Sequence, residues 1–427
     1  MDHMSSWVQH VIWWHVYPLG FVGAERELDG ARPEPHRLTR LHGWLDHLVA
    51  LGCNGLALGP VFRSETHGYD TTDYLSIDPR LGDDADFDAL VAACSERGIR
   101  VLLDGVFNHA ARSFPPVAAA LEAGEGSEAG RWVRWSDGHP WVFEGHDHLI
   151  TLDHSSPEVQ DHVVEVMTHW LGRGADGWRL DAAYAVAPEL WASVLPRVRE
   201  RFPEAWFVGE MIHGDYADYV QRSGLDSVTQ YELWKATWSS LSERNLWELD
   251  WTLGRHRELV GRLLPMTFLG NHDTSRVASQ IADPRHVGHA VALLLFLPGV
   301  PSIYYGDEYG LRAVKEDRAG GDDAVRPEMP GVPQQVDGRD DELWSVHQRM
   351  ISLRRRHPWL TTATTSTSDV ANEHLLVHAD GPDGERLTLV LNLADEPYPV
   401  TPAEVLEAAS PLQGAALAPH SWAVLRA

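Results

Sequence analysis

The sequence predicts an α/β protein: a (β/α)8 TIM barrel with a short irregular insertion after strand 3 and a small C-terminal antiparallel β domain. Three observations carry this prediction. Eight short apolar runs alternate with amphipathic helical segments, polar or charged residues directly follow several of these runs, and the alternation changes near residue 359. Eight is also the number of parallel strands that closes this type of barrel.

Each candidate strand is short and strongly apolar, as is typical of parallel strands buried on both faces. The eight lie at residues 11–17, 55–59, 100–104, 177–181, 206–209, 227–230, 266–270 and 302–305. Helical patterns lie between them, for example at residues 38–50, 87–97, 157–171, 188–201 and 286–297. Ser156 followed by Pro157 indicates a helix start, and Gly52, Gly98 and Gly172 indicate helix ends.

Two segments depart from this alternation. Residues 110–150 contain many Trp, Gly and charged residues without a clear period, which indicates a small subdomain inserted over the barrel mouth. From 359 to 427 an alternation of Thr, Val and Leu, with a turn at Gly384, predicts a C-terminal β-sandwich domain. Its candidate strands include 374–378, 386–392 and 421–425. The barrel is then expected at residues 1–109 and 151–358.

The composition narrows the classes of partner. With 35 basic against 62 acidic residues the formal net charge is −27, which disfavours nucleic acid and anionic membrane surfaces as partners. Cys53 and Cys94 lie in apolar helical contexts, so we expect buried free thiols and no disulfide framework. No signal-peptide pattern opens the chain, and its longest apolar stretch, residues 290–298, is too short to span a membrane. We therefore expect a cytoplasmic protein, a monomer or homodimer, that acts on an uncharged substrate such as a sugar.

Three acidic residues stand at the ends of apolar runs. They are Asp181 (in Gly-Trp-Arg-Leu-Asp), Glu210 (in Phe-Val-Gly-Glu) and Asp273 (in Phe-Leu-Gly-Asn-His-Asp). A β/α barrel brings the C-terminal ends of its strands together at one mouth, where the active sites of such enzymes lie. Two converging carboxylates are the minimum equipment for cleaving a glycosidic bond. The sequence therefore predicts a glycoside-processing enzyme.

The side chains around these carboxylates suggest a division of roles. Asp181 suits the nucleophile, because Arg179 lies on the same strand face and would keep the carboxylate ionised. Glu210 has the longer reach expected of the general acid and base. Asp273 could bind sugar hydroxyls in the distorted ring of the transition state, and His109 and His272 could donate hydrogen bonds in the same subsite.

Other interpretations of these residues remain open. An isolated Arg-x-Asp on a strand is more often a structural ion pair, and an isolated Asn-His-Asp is commonly a turn. His, Asp and Glu clusters can also hold zinc, but no His-Glu-x-x-His pattern occurs, so no catalytic metal is expected. A non-catalytic barrel that only binds sugar would usually lose a carboxylate, and all three are present here.

Four segments resemble the signature regions of the α-amylase family of retaining α-glucosidic enzymes. They are residues 104–109 (Asp-Gly-Val-Phe-Asn-His), 177–181, 207–210 and 268–273, with further agreement at 67–70 (His-Gly-Tyr-Asp) and 299–308. The resemblance covers about residues 11–355 and implies the roles of nucleophile, acid/base and transition-state stabiliser for Asp181, Glu210 and Asp273, respectively. It also implies a first donor-side subsite formed by Tyr69, His109, Arg179 and His272.

Within that family the sequence looks most like the cyclomaltodextrinase and neopullulanase branch. The segment from Glu210 to His213 and the Gly-Gly-Asp-Asp of residues 320–323 carry this likeness, which implies a second donor subsite with Asp323 and Arg326. Ala182 is similar to the residue found in enzymes that act on α-1,4 links. The implied function is hydrolysis of short or cyclic maltooligosaccharides through a covalent glycosyl-enzyme intermediate. An α-glucan transglycosylase that uses the same intermediate is the alternative.

Three departures from the family pattern affect these expectations. Tyr184 and Ala185 replace a Lys-His pair on the acceptor side, so endo-cleavage of starch is not expected, and Tyr184 favours a sugar acceptor. The first predicted strand starts near residue 11, so the N-terminal β domain of the branch is not expected in this sequence. Asn108 would be one ligand among the six to eight that Ca²⁺ takes, so we expect no required metal and no cofactor.

Overall fold

The computed structural model describes residues 6–27, 36–318, 320–401 and 403–426. Its main sheet has eight parallel strands: β1 (Trp13–Val16), β2 (Gly55–Leu58), β3 (Arg100–Gly105), β4 (Gly177–Leu180), β5 (Trp206–Gly209), β6 (Ser227–Val228), β7 (Met266–Phe268) and β8 (Val300–Tyr304). Strand β1 pairs with both β2 and β8, and a parallel bridge between Thr229 and Met266 joins the β6 edge to β7. The sheet therefore closes on itself, which confirms the predicted (β/α)8 barrel.

Successive side chains of these strands point alternately into the barrel and outward to the helices, so the protein has an inner and an outer core. Side chains that point into the barrel form one buried cluster, in which Trp13 stacks on Trp206 with ring centroids 5.8 Å apart. The next residue along β1, Trp14, points outward and stacks on Trp44 of the helical layer. Because large apolar side chains fill the interior, the polar residues at the strand ends are left as the floor of the barrel mouth.

Helices cover the outside of the barrel. Their bounds are Pro18–Phe21, His42–Leu51, Asp84–Glu96, Pro157–Gly172, Pro188–Arg199, Tyr216–Ser223, Tyr231–Glu243, Trp247–Val260, Val277–Gln280, Val287–Phe296 and Asp341–Arg356. The helix at 84–96 starts where the Asp83 carboxylate accepts hydrogen bonds from the backbone N–H groups of Ala85 and Asp86. None of the helices in the described ranges is both long and apolar enough to cross a bilayer.

The insertion after β3 contains more regular structure than its sequence indicates. It comprises strand His109–Ala111, helix Pro115–Ala123, a 3₁₀ turn at Ala129–Trp132 and the short strands Trp135–Ser136, His139–Pro140, Val142–Phe143 and His146–Thr151. The last two strands pair with each other, and the turn between them passes through Glu144 at φ 49° and Gly145 at φ 79°. Each element is too short to produce a recognisable period, which explains why the sequence shows none.

The C-terminal region is a five-stranded antiparallel sheet. Its strands follow the order Thr364–Ser368, His374–Asp380, Arg386–Asn392, Ser421–Arg426 and Glu404–Ala408, and a small second sheet pairs Tyr398–Pro399 with Ala416–Leu417. Residues such as Leu389 and Val424 pack into the barrel-side core, whereas Val390 and Ala423 form a separate small cluster on the opposite face. The antiparallel fold of this region is confirmed, and its boundary at residue 359 stays a prediction.

Candidate active site

Arg179 on β4 gathers three carboxylates at the barrel mouth. Strands β3 and β4 pair with Arg179 opposite Asp104, and Arg179 Nη1 donates to both Asp104 oxygens at 2.7 and 2.8 Å. The same nitrogen lies 3.2 Å from Asp181 Oδ1. Arg179 Nη2 lies 2.6 Å from Glu210 Oε1. Strand pairing thus converts three separate strand ends into one buried cluster of charge.

Both oxygens of Glu210 are held in place by neighbouring groups. The Ala182 N–H donates to Oε2 at 3.0 Å, and the Tyr231 hydroxyl donates to Oε1 at 3.1 Å. Ala182 has φ 46°, a left-handed conformation that turns the chain sharply after Asp181 and directs this N–H at the glutamate. Asn271 Nδ2 in turn donates to the Tyr231 hydroxyl at 2.7 Å. The glutamate is therefore fixed against the backbone that follows Asp181.

A second hydrogen-bonded group surrounds Asp273. His272 Nε2 lies 2.9 Å from Asp273 Oδ2, and Arg326 Nη2 donates to Asp273 Oδ1 at 2.8 Å. The Tyr69 hydroxyl contacts His272 Nε2 and donates to Asp104 Oδ2 at 3.0 Å. Because Asp104 also binds Arg179, one continuous network joins the Asp273 group to the group that holds Asp181 and Glu210.

Aromatic stacking fixes the orientation of His272 and His109. The His272 ring lies between Tyr17 and Tyr69, with centroids 5.7 and 5.2 Å away and interplanar angles of 12° and 8°. His109 stacks on Phe143 of the inserted hairpin at 4.4 Å, and its Nε2 lies 3.0 Å from the Tyr69 carbonyl oxygen. These rings have little freedom to rotate, so the mouth is preorganised.

Burial and charge give the two aspartates opposite titration behaviour. Burial, followed by the nearby charge of Glu210, raises the pKa of Asp181 well above its ordinary value, although Arg179 opposes the shift. Burial also acts to raise the pKa of Asp273, but His272 and Arg326 outweigh it and hold that pKa well below its ordinary value. Asp273 therefore stays ionised at neutral pH, whereas Asp181 keeps its proton to a higher pH than an ordinary aspartate does.

The structure brings most of the sequence-predicted site residues together. Those joined in this cluster are Asp181, Glu210, Asp273, Tyr69, His109, Arg179, His272 and Arg326. Asp323 lies apart, with its side chain 70% exposed and 3.8 Å from Arg26. The preceding Asp322 instead accepts from Arg326 Nη2 at 3.2 Å. The role predicted for Asp323 therefore has no contact in the cluster to support it.

Other residues of the mouth were not predicted from the sequence. Asp104, Tyr231 and Asn271 lie within or beside the strand-end motifs, and their polar character was the available signal. Glu144 had no such signal: it lies at the tip of the inserted hairpin, and the Tyr184 hydroxyl donates to its Oε1 at 2.8 Å. Tyr184 also packs near Phe143 and His213, with ring centroids 6.5 and 5.3 Å apart. The hairpin tip thus contacts a group of aromatic rings, Tyr184, Phe143 and His213, which we call the aromatic wall. This contact is visible only in the folded chain.

Two contacts hold Asn108, the residue considered above as a calcium ligand. Its side-chain amide lies 3.1 Å from His109 Nδ1, and its backbone oxygen accepts from the Leu152 N–H at 3.1 Å. Ca²⁺ takes six to eight oxygen ligands. Within the described ranges, the groups of three or more potential metal-ligating side chains lie elsewhere, at Asp283, His286 and His420 and at His36, Asp83 and Asp86.

Comparisons with known proteins agree with this geometry. The family model for the α-amylase catalytic domain matches residues 38–374. A cyclomaltodextrinase from a Bacillus species is 30% identical over 421 residues, which cover 91% of this chain and 73% of that protein. The cyclic α-maltosyl-(1→6)-maltose hydrolase from Arthrobacter globiformis, solved with that sugar, superposes with a TM-score of 0.83 at 25% identity over 100% of both chains. The acarbose-soaked debranching enzyme from Nostoc punctiforme gives a TM-score of 0.81 at 26% identity, again over 100% of both chains. Together with the carboxylates at the barrel mouth, these matches establish that the chain belongs to the α-amylase family of glycoside hydrolases.

Proposed function

We propose that the protein is a retaining hydrolase that cleaves α-1,4-glucosidic bonds of short or cyclic maltooligosaccharides. The observation that carries the proposal is the single network that runs from Glu210 through Arg179, Asp104, Tyr69 and His272 to Asp273. Asp181 joins the same network through Arg179. Three carboxylates thus meet at one mouth, as double displacement at one anomeric carbon requires. The similarity to a Bacillus cyclomaltodextrinase supports the substrate class.

The first chemical step divides between two carboxylates. Glu210 gives its proton to the glycosidic oxygen as that oxygen leaves, and Asp181 Oδ attacks the anomeric carbon from the opposite face. The carbon–oxygen bond to the leaving sugar breaks, and an ester bond to Asp181 forms. The ionised Asp273 accepts hydrogen bonds from ring hydroxyls as positive charge develops on the sugar.

The second step releases the sugar. Glu210, now ionised, takes a proton from water, and the water oxygen attacks the anomeric carbon as the ester bond to Asp181 breaks. Two inversions give net retention of the α configuration. The surrounding side chains hold the donor sugar: Tyr69, His109, Arg179 and His272 in the first subsite, with Arg326 and Asp323 proposed for the second.

Product analysis tests the linkage and the stereochemistry together. We expect maltotriose and a cyclodextrin to be cleaved at least about tenfold faster than isomaltose, because the mouth is proposed to be complementary to the α-1,4 bond. Proton NMR of early maltotriose digests should show the α anomer before mutarotation. Faster cleavage of isomaltose would overturn the linkage assignment, and first appearance of the β anomer would overturn retention. Pullulan, which contains both linkages, shows which bond is chosen within one polymer.

The alternative to hydrolysis is transfer of the bound glycosyl group to a second sugar, and the aromatic wall at Tyr184 favours this reaction. The ring of Tyr184 packs near those of Phe143 and His213, and the Tyr184 backbone N–H donates to the Glu210 carbonyl oxygen at 3.2 Å. Sugars stack on such aromatic faces. The aromatic wall would bind an acceptor sugar in the position from which it can attack the intermediate, whereas hydrolysis requires only a water molecule there. The two activities share the intermediate at Asp181 and differ in the group that attacks it.

Two variants of Tyr184 measure the balance between transfer and hydrolysis. Tyr184→Ala removes the ring, so we expect the ratio of transfer to hydrolysis products at high maltotriose concentration to fall about fivefold. Tyr184→Phe keeps the ring and loses only the hydrogen bond to Glu144, so we expect a smaller change. Chromatography of products at low and high substrate gives the ratio. An unchanged ratio in Tyr184→Ala would show that this wall does not bind the acceptor.

We also propose that the protein works in the cytoplasm as a monomer or homodimer, without nucleic acid or membrane partners. The net charge of −27 and the two buried free cysteines, Cys53 and Cys94, support this proposal. The proposed domain division is a barrel of residues 1–109 and 151–358, an inserted subdomain of residues 110–150 and a C-terminal β-sandwich domain of residues 359–427. Light scattering after gel filtration gives the oligomeric state.

A further inference from the structure

Two histidines face each other between the barrel helices and the C-terminal sheet. His286 directly precedes helix Val287–Phe296, and His420 directly precedes strand Ser421–Arg426. His286 Nε2 lies 3.0 Å from His420 Nδ1, and the two rings stack with centroids 5.2 Å apart. Potential ligand atoms of these histidines and of Asp283 lie within 4.8 Å of one another. None of the three belongs to the active-site network.

A count of protons shows that this arrangement is incomplete with neutral rings. His286 Nδ1 faces the Leu241 carbonyl oxygen at 3.3 Å, and His420 Nε2 faces Asp395 Oδ1 at 2.8 Å. The contact between the two rings is the third contact of this group. Each of the three contacts is a hydrogen bond only if one proton lies between its two atoms. Two neutral imidazoles bring two protons in total. One contact must therefore set two lone pairs against each other, unless a further cation lies there.

The outer partners decide where that cation belongs. The Leu241 carbonyl and the Asp395 carboxylate are acceptors only, so they hold the ring protons on His286 Nδ1 and His420 Nε2. The lone pairs of His286 Nε2 and His420 Nδ1 are then left facing each other. Histidines that ligate metals typically donate the other ring N–H to a carbonyl or carboxylate in this way.

We propose that Asp283, His286 and His420 bind a zinc ion that links the barrel to the C-terminal sheet. Two imidazole nitrogens, one carboxylate oxygen and a water complete the tetrahedral set that Zn²⁺ accepts, whereas Ca²⁺ and Mg²⁺ require mainly oxygen. Two nitrogens bound to a tetrahedral zinc lie about 3.3 Å apart, given Zn–N bonds of about 2.0 Å. The two ring nitrogens thus need to separate by only a few tenths of an ångström, and an Asp283 oxygen, which lies within 4.8 Å of them, needs to move closer.

The surrounding charge favours a cation at this position. Three carboxylates, those of Asp283, Asp395 and Glu373, face two guanidinium groups, since Arg285 pairs with Asp283 at 2.6 Å and Arg244 pairs with Glu373 and Asp395 at 2.5 and 3.2 Å. The pairing with Arg285 competes for the same oxygens, so a moderate affinity is expected.

Zinc titration of the chelator-treated protein tests the site. A ligand that binds only the folded state raises the melting temperature according to its concentration and affinity. We expect Zn²⁺ to raise the melting temperature of the wild type by several degrees, with one equivalent bound in equilibrium dialysis. His420→Gln and the milder Asp283→Asn should lose most of this rise. Activity on maltotriose, assayed well below the melting temperature, should change less than about twofold on chelation.

A matched control separates this site from the rest of the chain's 24 histidines. His36→Gln removes the histidine of the other cluster, His36 with Asp83 and Asp86, and should keep the wild-type response to zinc. An equal zinc response in His420→Gln, Asp283→Asn and wild type would overturn the proposal, as would no response in the wild type. If a proton rather than a metal bridges the rings, metal-free wild type should gain stability over His420→Gln as pH falls from 8 to 5.5, with no effect of zinc. That result would also overturn it.

Discussion

The Asp181→Asn variant should lose at least about 10⁴-fold in kcat on maltotriose, because the amide cannot form the ester intermediate. KM should change little, since Arg179 keeps two hydrogen bonds to Asp104 and its ion pair with Glu210. Steady-state kinetics with purified protein gives both values. Activity within about tenfold of the wild type would show that Asp181 is not the nucleophile.

The same variant is expected to be more stable than the wild type above neutral pH. The pKa of Asp181 is raised in the folded protein, so its ionised form is favoured in the unfolded chain. Ionisation of Asp181 therefore lowers the free energy of unfolding of the wild type. This loss is absent below the unfolded-state pKa of about 3.9, grows as the pH rises toward the raised folded-state pKa and is complete above it. The uncharged amide avoids this effect. We expect a melting temperature about 1 to 3 °C higher at pH 8, with the difference shrinking toward pH 4.

A matched control lies at the opposite end of the same strand. Asp176 precedes β4 at the far end of the barrel, where it accepts from the Val101 N–H at 2.8 Å and pairs with Arg100 at 2.6 Å. Asp176→Asn should lower stability and leave kcat within about threefold of the wild type, since residues at this end of a barrel serve stability. A lower melting temperature for Asp181→Asn at every pH would contradict the assigned electrostatics.

The second large effect is expected for Glu210→Gln. Loss of the proton donor should lower kcat/KM on maltotriose by about 10² to 10⁴-fold. The loss should be much smaller in the first step with α-maltosyl fluoride, because fluoride leaves without being protonated. Added azide should then speed the second step, since it attacks without needing a general base, and should give the α-glycosyl azide.

This dependence on the leaving group separates a proton donor from a residue that only supports the fold. An equal loss on maltotriose and on the fluoride would contradict the acid/base role. Tyr231→Phe serves as the control, because it removes one hydrogen bond to Glu210 Oε1 and keeps the carboxyl group. We expect about a tenfold loss or less on maltotriose, and no rescue by azide.

The sequence predicts the barrel well because its strands are apolar and end abruptly. Strands β2 and β5 begin at the predicted residues, and β1 starts at Trp13 rather than at residue 11. Strands Thr364–Ser368 and Glu404–Ala408 were not predicted, because much of their surface is polar and only pairing with neighbouring strands defines them. Local pattern thus fails where tertiary contacts determine the structure.

Some residues of the candidate site could likewise be predicted from the sequence, and others could not. Strand-end position identifies Asp181, Glu210 and Asp273, since a barrel necessarily brings such ends together. Sequence cannot decide between the adjacent Asp322 and Asp323, because the rotation of one residue in a short turn determines which carboxylate meets Arg326. The contact of Tyr184 with Glu144 spans 40 residues and depends on how the inserted hairpin folds.

Trapping the intermediate tests most directly whether these carboxylates act on one anomeric carbon. A 2-deoxy-2-fluoro-α-maltosyl fluoride carries a good leaving group, and its 2-fluorine destabilises the cationic transition states of both steps, so an ester to the enzyme can accumulate. We predict one maltosyl adduct per chain, found by mass spectrometry on the peptide that contains Asp181, and no adduct in Asp181→Asn. An adduct on another residue, or a β-configured product from maltotriose without any adduct, would contradict the proposed chemistry.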